Sequence, residues 1–503
     1  MSPRSRAFTW HHACIVFIVF LEYLQTIMVS FASRYIAGGI DAAPEEFSLA
    51  AACYATVAVV VILGHRYLVQ TLGYRRMLRL SLLAFAAGAV LCATAHSVPV
   101  FIAGRMVQAV GGSAFFTASR VQVLHYSGKE RIPALLCLPF GITLGSALAP
   151  ILASELLDQG SWRALFWVML PLTALVDRMV AHSVPEHEPV ENEQPDKVHP
   201  WAILWLTLGM FLLQFMLERS RYDLFGHPAS LAVAGILAAM LLLAYLWIDW
   251  RHRTPLISYA EFSSRRYWLG MGIYGFGYLV VSASNYILPI FMVQGLGFPV
   301  TASGWSLGLT SLAGLLTIPL HLALMMRWPA LKPYLLVSLA GLCAFGWLMS
   351  DLGQESTLSS MIWPLILLNT LFMPFALGTA AASTFRGIDE KVFSHAYQVK
   401  NSMREVANSV GLSVATIIMQ MRGNLHYSRL AETSAAIRPG YGTAAGGPDP
   451  WGLLGNPEPA ALLRLAGEID HQATLMACRD FFWGMAVVAL ATACGVCVAR
   501  RIR

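Results

Sequence analysis

Charge is the scarce ingredient of this chain. Asp, Glu, Lys and Arg make up 12% of its 503 residues against 57% apolar residues, and the mean hydropathy is +0.59. An ordinary soluble domain carries about 25% charged residues, so a water-soluble enzyme or nucleic-acid-binding module is excluded. Cysteine is sparse too. All eight cysteines lie inside or at the edge of apolar runs, where they pack as small apolar side chains, and no disulfide framework is expected. Cys494 and Cys497 form a C-x-x-C, but in the last apolar run with no redox fold around it. No cleavable leader is evident, because the first apolar run is followed by "ASRYIAGGIDAAPEEF" and then directly by another. Phosphate-binding loop, zinc-protease pair and nucleophile elbow are all missing. "GMGIYG" (Gly270, Gly272, Gly275) has dinucleotide-binding spacing, yet it lies in an apolar run that follows no strand and reads as close helix packing. No enzyme activity, cofactor, metal site or nucleic-acid partner is expected.

What the chain has in excess is long apolar runs. A spanning helix needs about 20 such residues, and fourteen runs qualify, centred near residues 23, 58, 86, 111, 145, 172, 209, 239, 280, 312, 342, 372, 407 and 487. The expected fold is an all-α polytopic membrane protein with 14 transmembrane helices. The net charge of +6 follows from its loops. Arg4 and Arg6, the Arg66/Arg75/Arg76/Arg79 loop, the Arg251/Arg253/Arg265/Arg266 loop and the terminal Arg500, Arg501 and Arg503 fall on one side, which the positive-inside rule makes cytoplasmic. Both termini are then cytoplasmic. Fourteen rather than twelve spans rests on residues 201–250, where two spanning runs flank the polar "RSRYDLFGHPAS" and read as a central hairpin. The hairpin follows the hydrophilic linker "VPEHEPVENEQPDKVHP". The chain thus divides into a six-helix half (1–182), linker and hairpin (183–250), and a second six-helix half (251–503), the last including an extracytoplasmic loop over 422–474.

The informative residues are those a bilayer should exclude. A charge at mid-membrane is costly and normally faces a protein interior or a water-filled path. Glu22 lies in "FLEYLQTIMVSF", roughly 14 Å into its helix and near the middle of a hydrocarbon core of about 30 Å. Gln25, Thr26, Ser30 and Ser33 follow on one stripe. Glu22 reads either as a buried anchor for a neighbouring helix or as a protonatable carboxylate. Arg105, in "GRMVQAVGG", and Arg404, in "KNSMREVANSVG", are the matching cations. For Arg404 a structural ion pair competes evenly with function. Small residues mark close helix contacts: Gly141, Gly145, Ala149 and Ala153 at four-residue spacing with Pro150 beside them, and Gly304 and Gly308 in "SGWSLGLTS". Their places in the two halves suggest internal symmetry.

Over nearly its whole length the sequence resembles the major facilitator superfamily, in particular the fourteen-helix EmrB/QacA type of drug:proton antiporters. Residues 105–112 resemble the fourth-helix R-x-x-Q-G motif, with Ala109 where Gly is usual, and the resemblance gives Arg105 a role in proton coupling. Residues 141–154 resemble the fifth-helix antiporter motif ending G-P-x-x-G-G, here Ala149-Pro150 and Ala153-Ser154. "WRALFWVMLP", "LQFMLERSRYDLF" and "NSMREVANSVG" also look like family segments. The loop between the second and third spans resembles the family's gating loop through Arg66, Leu68, Gln70, Gly73, Arg75 and Arg76, without its first Gly and its Asp. The first-helix motif L-D-x-T reads Leu24-Gln25-Thr26-Ile27, so its carboxylate is absent, and Glu22, one turn away, stands as the displaced proton carrier.

By analogy with this fold, the first, fourth, ninth and twelfth spans line a central cavity. The substrate-facing candidates are Gln25 and Gln108, then Tyr274, Tyr278, Ser282 and Asn285, then Asn369, Phe372 and Met373. Gly141, Gly145, Ala149, Pro150, Gly73, Arg75, Arg76 and Arg404 are assigned to packing and gating. The resemblance implies proton-coupled export of small amphipathic compounds by alternating access from the cell inner membrane. It also implies a HlyD-like periplasmic adaptor and an outer-membrane channel as partners. A dedicated exporter of an endogenous metabolite such as a siderophore is the alternative within transport, and a non-transporting membrane sensor or scaffold the alternative outside it.

Overall fold

The computed structural model describes residues 3–124, 126, 130–184, 200–224, 226–252, 255–385, 388, 390–437 and 459–498. Among them there is no β-strand. Fourteen long helices carry the chain: α1 (Pro3–Phe31), α2 (Pro44–Leu63), α3 (Tyr74–Ala93), α4 (Val98–Leu124), α5 (Arg131–Asp158) and α6 (Ala164–Ser183); α7 (Pro200–Asp223) and α8 (Pro228–Arg251); then α9 (Arg265–Gly295), α10 (Val300–Arg327), α11 (Leu331–Asp351), α12 (Leu358–Ala381), α13 (Glu390–Ile437) and α14 (Pro459–Val498). Thirteen are long and apolar enough to cross a membrane. The other is α13, whose 48 residues exceed any span but whose Arg404, Glu405 and Asn408 lower its hydropathy.

Burial groups these helices. One apolar core is built from α1, α3, α4, α5 and α6, around residues such as Leu21, Phe85 and Phe115. A second joins α9, α11, α12 and α14 around Phe291, Phe345 and Phe482. The hairpin is not peripheral to both, because α7 packs on α2 and α13 as well as on α8, and a third core containing Leu63, Leu206, Met210 and Tyr267 ties it to the two halves. Helix α8 leaves Ile236, Met240, Leu243 and Trp250 exposed, the pattern of a helix facing lipid.

Close approach is made by glycine. A Cβ on Gly141 would stand 2.6 Å from the Val16 carbonyl oxygen, and one on Gly145 would stand 2.8 Å from that of Phe20, so both need a bare backbone against α1. On another face of α5, Pro150 and Ser154 meet Gly304, and Ala147 and Ile151 meet Gly308, of α10. Helix α5 is therefore held between α1 of its own half and α10 of the other. Ala149 and Ala153 are fully buried in the first core.

Proline interrupts the C-terminal half. Pro289 precedes a π-turn over Phe291–Gly295, and Pro364 precedes two, over Leu368–Phe372 and Pro374–Gly378. Proline removes a helical hydrogen bond, and such wide turns recur at functional sites. At the end of the bundle away from the termini, α13 and α14 run on well beyond a bilayer's thickness: 48 and 40 residues make about 72 and 60 Å. Arg422 and His426 of α13 both reach Asp480 of α14, at 2.6 Å each. Residues 422–437 and 459–474 of the expected loop are thus helical, while 438–458, like linker residues 185–199 and Arg253, Arg500, Arg501 and Arg503, lie outside the described residues.

Candidate functional site

An inner cavity of about 280 Å³ sits between the halves, lined among others by Glu22, Tyr23, Tyr54, Arg105, Glu218, Tyr278, Asn369, Arg404 and Glu405. A vestibule of about 600 Å³ shares Thr26, Ser30, Arg105 and Glu218 with it and is walled by Arg34, Tyr35, Gln294 and Val300. Those four belong to the bundle end remote from the termini, so the vestibule lies on that side.

At the inner cavity, Glu22 meets its cation. Its Oε1 accepts from Arg404 Nη2 at 2.5 Å and its Oε2 accepts from the Phe116 backbone N–H at 2.8 Å. The guanidinium also donates to Glu405 Oε1, from Nη2 at 2.8 Å and Nε at 3.1 Å, and Nη1 lies 3.3 Å from the Tyr23 hydroxyl. Tyr23 in turn bonds Tyr278 across the halves at 2.8 Å. Both carboxylates and the guanidinium are withdrawn from water. A buried pair is poor evidence for stability, since desolvation offsets much of its attraction, and its best-attested use is as a register or switch. Here it joins α1 to α13, one helix from each half.

Arg105 is held differently. Nη1 donates to Gln108 Oε1 at 2.6 Å, and the guanidinium lies 4.1 Å above the Tyr54 ring. With its amide oxygen assigned toward the guanidinium, Gln25 accepts from both Nη1 and Nη2. No carboxylate pairs with Arg105 among the described residues. Gln25 and Gln108 are thus buried partners of a cation rather than cavity surface.

The remaining candidates separate by face. Tyr278, Ser282, Asn285, Asn369 and Met373 line the inner cavity. Ser282 donates to the Asn408 carbonyl at 2.7 Å, and Asn369 to that of Leu365 at 2.9 Å. Tyr274 is buried below, its ring 4.7 Å from that of Tyr278 and 4.2 Å from Lys400 Nζ. Phe372 is fully buried in the second core, turned away from the cavity its neighbour Met373 faces. In the loop before α3, Gly73 has φ of 76°, a conformation that favours glycine. Arg75 donates to the Ala181 carbonyl, Arg66 reaches His395 Nε2 at 2.5 Å, and Arg76 is exposed.

That loop belongs to a seal on the terminal side. Ile15, Val19, Phe116, Tyr126, Phe393 and Tyr397 form one apolar cluster across the halves, Arg120 lies over the Phe393 and Tyr397 rings, and Asn401 donates to Thr117 at 2.7 Å. On the other side the halves meet through the α5–α10 contact at Gly304, with polar ties beside it at the rim, Arg34 to Gln294 at 2.5 Å and Trp305 to Glu155 at 2.6 Å. One end is packed shut while the other holds the vestibule, the arrangement of a carrier caught in one of two states.

The model of the Major Facilitator Superfamily matches residues 15–412. The chain belongs to the Major Facilitator Superfamily. It is 21% identical to the probable multidrug resistance protein EmrY of Escherichia coli, over 85% of this chain and 83% of that protein. It is 22% identical to the multidrug export protein EmrB of Haemophilus influenzae, over 92% and 90%. Among solved structures, the human organic anion transporter MFSD10 matches with a TM-score of 0.56 at 14% identity, covering 98% of this chain and 100% of that one. A peptide transporter, POT, matches with 0.59 at 12% identity, over 96% and 94%. These likenesses establish the fold.

Several residues of the site were not among the sequence-based candidates. Tyr23 and Tyr54 are ordinary membrane-helix aromatics until their neighbours are known. Glu405 is a second carboxylate beside Arg404. Glu218 is a charge within an apolar run, a signal of the same kind as Glu22, but on a hairpin expected to stand apart from the cavity.

Proposed function

We propose that this transporter exports small amphipathic compounds in exchange for protons, rocking its two halves about the inner cavity. The observation that carries the reading is the Glu22–Arg404 pair at 2.5 Å, a titratable contact between the halves at the floor of the cavity. A proton on Glu22 discharges the pair and frees Arg404 to stay with Glu405. Loss of that proton restores the tie. Protonation of Glu22 thereby sets whether the halves are tied, which couples proton movement to the rocking of the cavity that holds substrate. The aromatic, amide and methionine lining suits amphipathic molecules, and the named activities of EmrY and EmrB point the same way. The test is efflux from proteoliposomes: an imposed pH gradient should drive a lipophilic dye against its concentration gradient and collapse when a protonophore is added. Dye movement that ignores the pH gradient would overturn the proton-coupled reading.

We place the protein in the inner membrane of a Gram-negative cell with both termini cytoplasmic, on the distribution of Arg among its loops. The projecting ends of α13 and α14 then stand in the periplasm and offer a docking arm to a HlyD-like adaptor leading to an outer-membrane channel. Deleting residues 435–460 should abolish co-purification with such an adaptor. Undiminished co-purification would remove the arm from consideration.

A further inference from the structure

The hairpin brings a charge of its own to the cavity. Glu218 on α7 is 6% exposed and lines both the inner cavity and the vestibule, yet among the described residues it makes no hydrogen bond and no ion pair. The other charges there are accounted for. Glu22 and Glu405 share Arg404, Arg105 is held by Gln108, Gln25 and the Tyr54 ring, and Arg34 donates to Gln294. Arg221, nearly one turn along α7, lines the vestibule with its guanidinium 4.6 Å from the Tyr222 ring and forms no ion pair with Glu218. The orientation of α7 is fixed: Ser220 bonds Ser413 of α13 at 2.6 Å, so Glu218 is aimed into the cavity by packing. One turn back, Gln214 is fully buried with both amide atoms unpartnered, but it lines neither cavity.

A carboxylate withdrawn from water whose nearest cation, Arg221, acts on it only from beyond contact distance is costly and persists where a cation arrives to meet it. We propose that Glu218 is a specificity-determining residue that takes the cationic centre of the transported compound, a protonated amine or an onium group. On this assignment α7 forms a wall of the substrate site and is more than a spacer between the halves. Tyr23, Tyr54 and Tyr278, which share the inner cavity, supply ring faces for the apolar skirt around such a centre. Arg105, on α4, sets the opposite sign on another wall. The inference deepens the exporter reading and rests on it.

Binding to the full-length protein in lipid nanodiscs tests the assignment with two ions of the same shape and opposite charge, tetraphenylphosphonium and tetraphenylborate. Glu218→Gln should weaken tetraphenylphosphonium about tenfold and leave tetraphenylborate within about twofold, as expected on removing one charge from a desolvated contact. Glu218→Asp should keep most of the cation affinity, and unchanged thermal unfolding of both variants checks the fold. Equal weakening of the two ions, an unchanged cation affinity, or a native protein that does not bind the cation each overturns the proposal. Failure of the exporter reading looks different: the native protein then binds tetraphenylphosphonium in a Glu218-dependent manner but does not move it along a pH gradient.

Discussion

Arg404 serves two carboxylates, and the two are not equivalent. Glu405 is its chain neighbour and moves with it on α13, whereas Glu22 lies 382 residues away on α1 and moves with the other half. Only the second contact changes when the halves rock, so Glu22 is the carboxylate to alter. Glu22→Gln keeps the size of the side chain and one acceptor oxygen, enough for one of the two donors, Arg404 or the Phe116 amide, that Glu22 now serves with two, and it can no longer trade a proton. It should bind substrate near normally, while gradient-driven efflux falls below a tenth of the native rate, a loss of about 1.4 kcal/mol or more in driving the cycle. Glu22→Asp, which still titrates, should retain part of the efflux. Proteoliposomes carrying Glu22→Gln that pump at the native rate would reduce Glu22 to a helix anchor. The need for a partner to Glu22 was legible in the sequence, because a lone carboxylate in an apolar run is conspicuous. The choice between Arg105 and Arg404 was not, since a contact across 382 residues leaves no local trace. Nor was the face of α12: a π-turn over Leu368–Phe372 alters the helical register, so Asn369 and Met373 meet the cavity while Phe372 enters the core.

Helix α5 shows how much an element's composition reveals and where it stops. Four small residues at strict spacing announce a close neighbour, but spacing alone names neither the neighbour nor how many there are. The structure gives two. Gly141 and Gly145 approach the backbone of α1 within one half, while Pro150 and Ser154 seat Gly304 of α10 from the other. The first contact should be fixed through the transport cycle, and the second should slide. Gly145→Leu adds a branched side chain where even a Cβ would stand 2.8 Å from the Phe20 carbonyl and 2.9 Å from the Tyr23 Cβ, and Tyr23 bears on the ion pair. Overpacking of this kind costs about 1–3 kcal/mol. The variant should insert and be recovered from membranes, unfold at a lower temperature, and lose most of its efflux. Normal efflux with an unchanged unfolding temperature would show that α1 and α5 tolerate separation.

At the scale of the whole molecule, the all-helical membrane fold follows from where apolar runs start and stop, and it was readable. Which end is shut was not, because the same sequence must close at both ends in turn, and only side-chain packing shows which set of contacts is made. In this state the terminal side carries the apolar seal, reinforced by the Arg66–His395 contact at 2.5 Å. The vestibule lies at the far end. If transport alternates access, the seal must break in every cycle. Cysteines placed at 66 and 395, in a background lacking the exposed Cys494 and Cys497, can be joined by a short, reducible bifunctional thiol reagent. Once joined they should hold the terminal side shut: efflux should stop, ligand added from the vestibule side should still bind, and reduction of the linker should restore pumping. Efflux at the native rate from fully cross-linked protein would mean that these residues stay together throughout the cycle, placing the moving seal deeper, at Phe116, Phe393 and Tyr397.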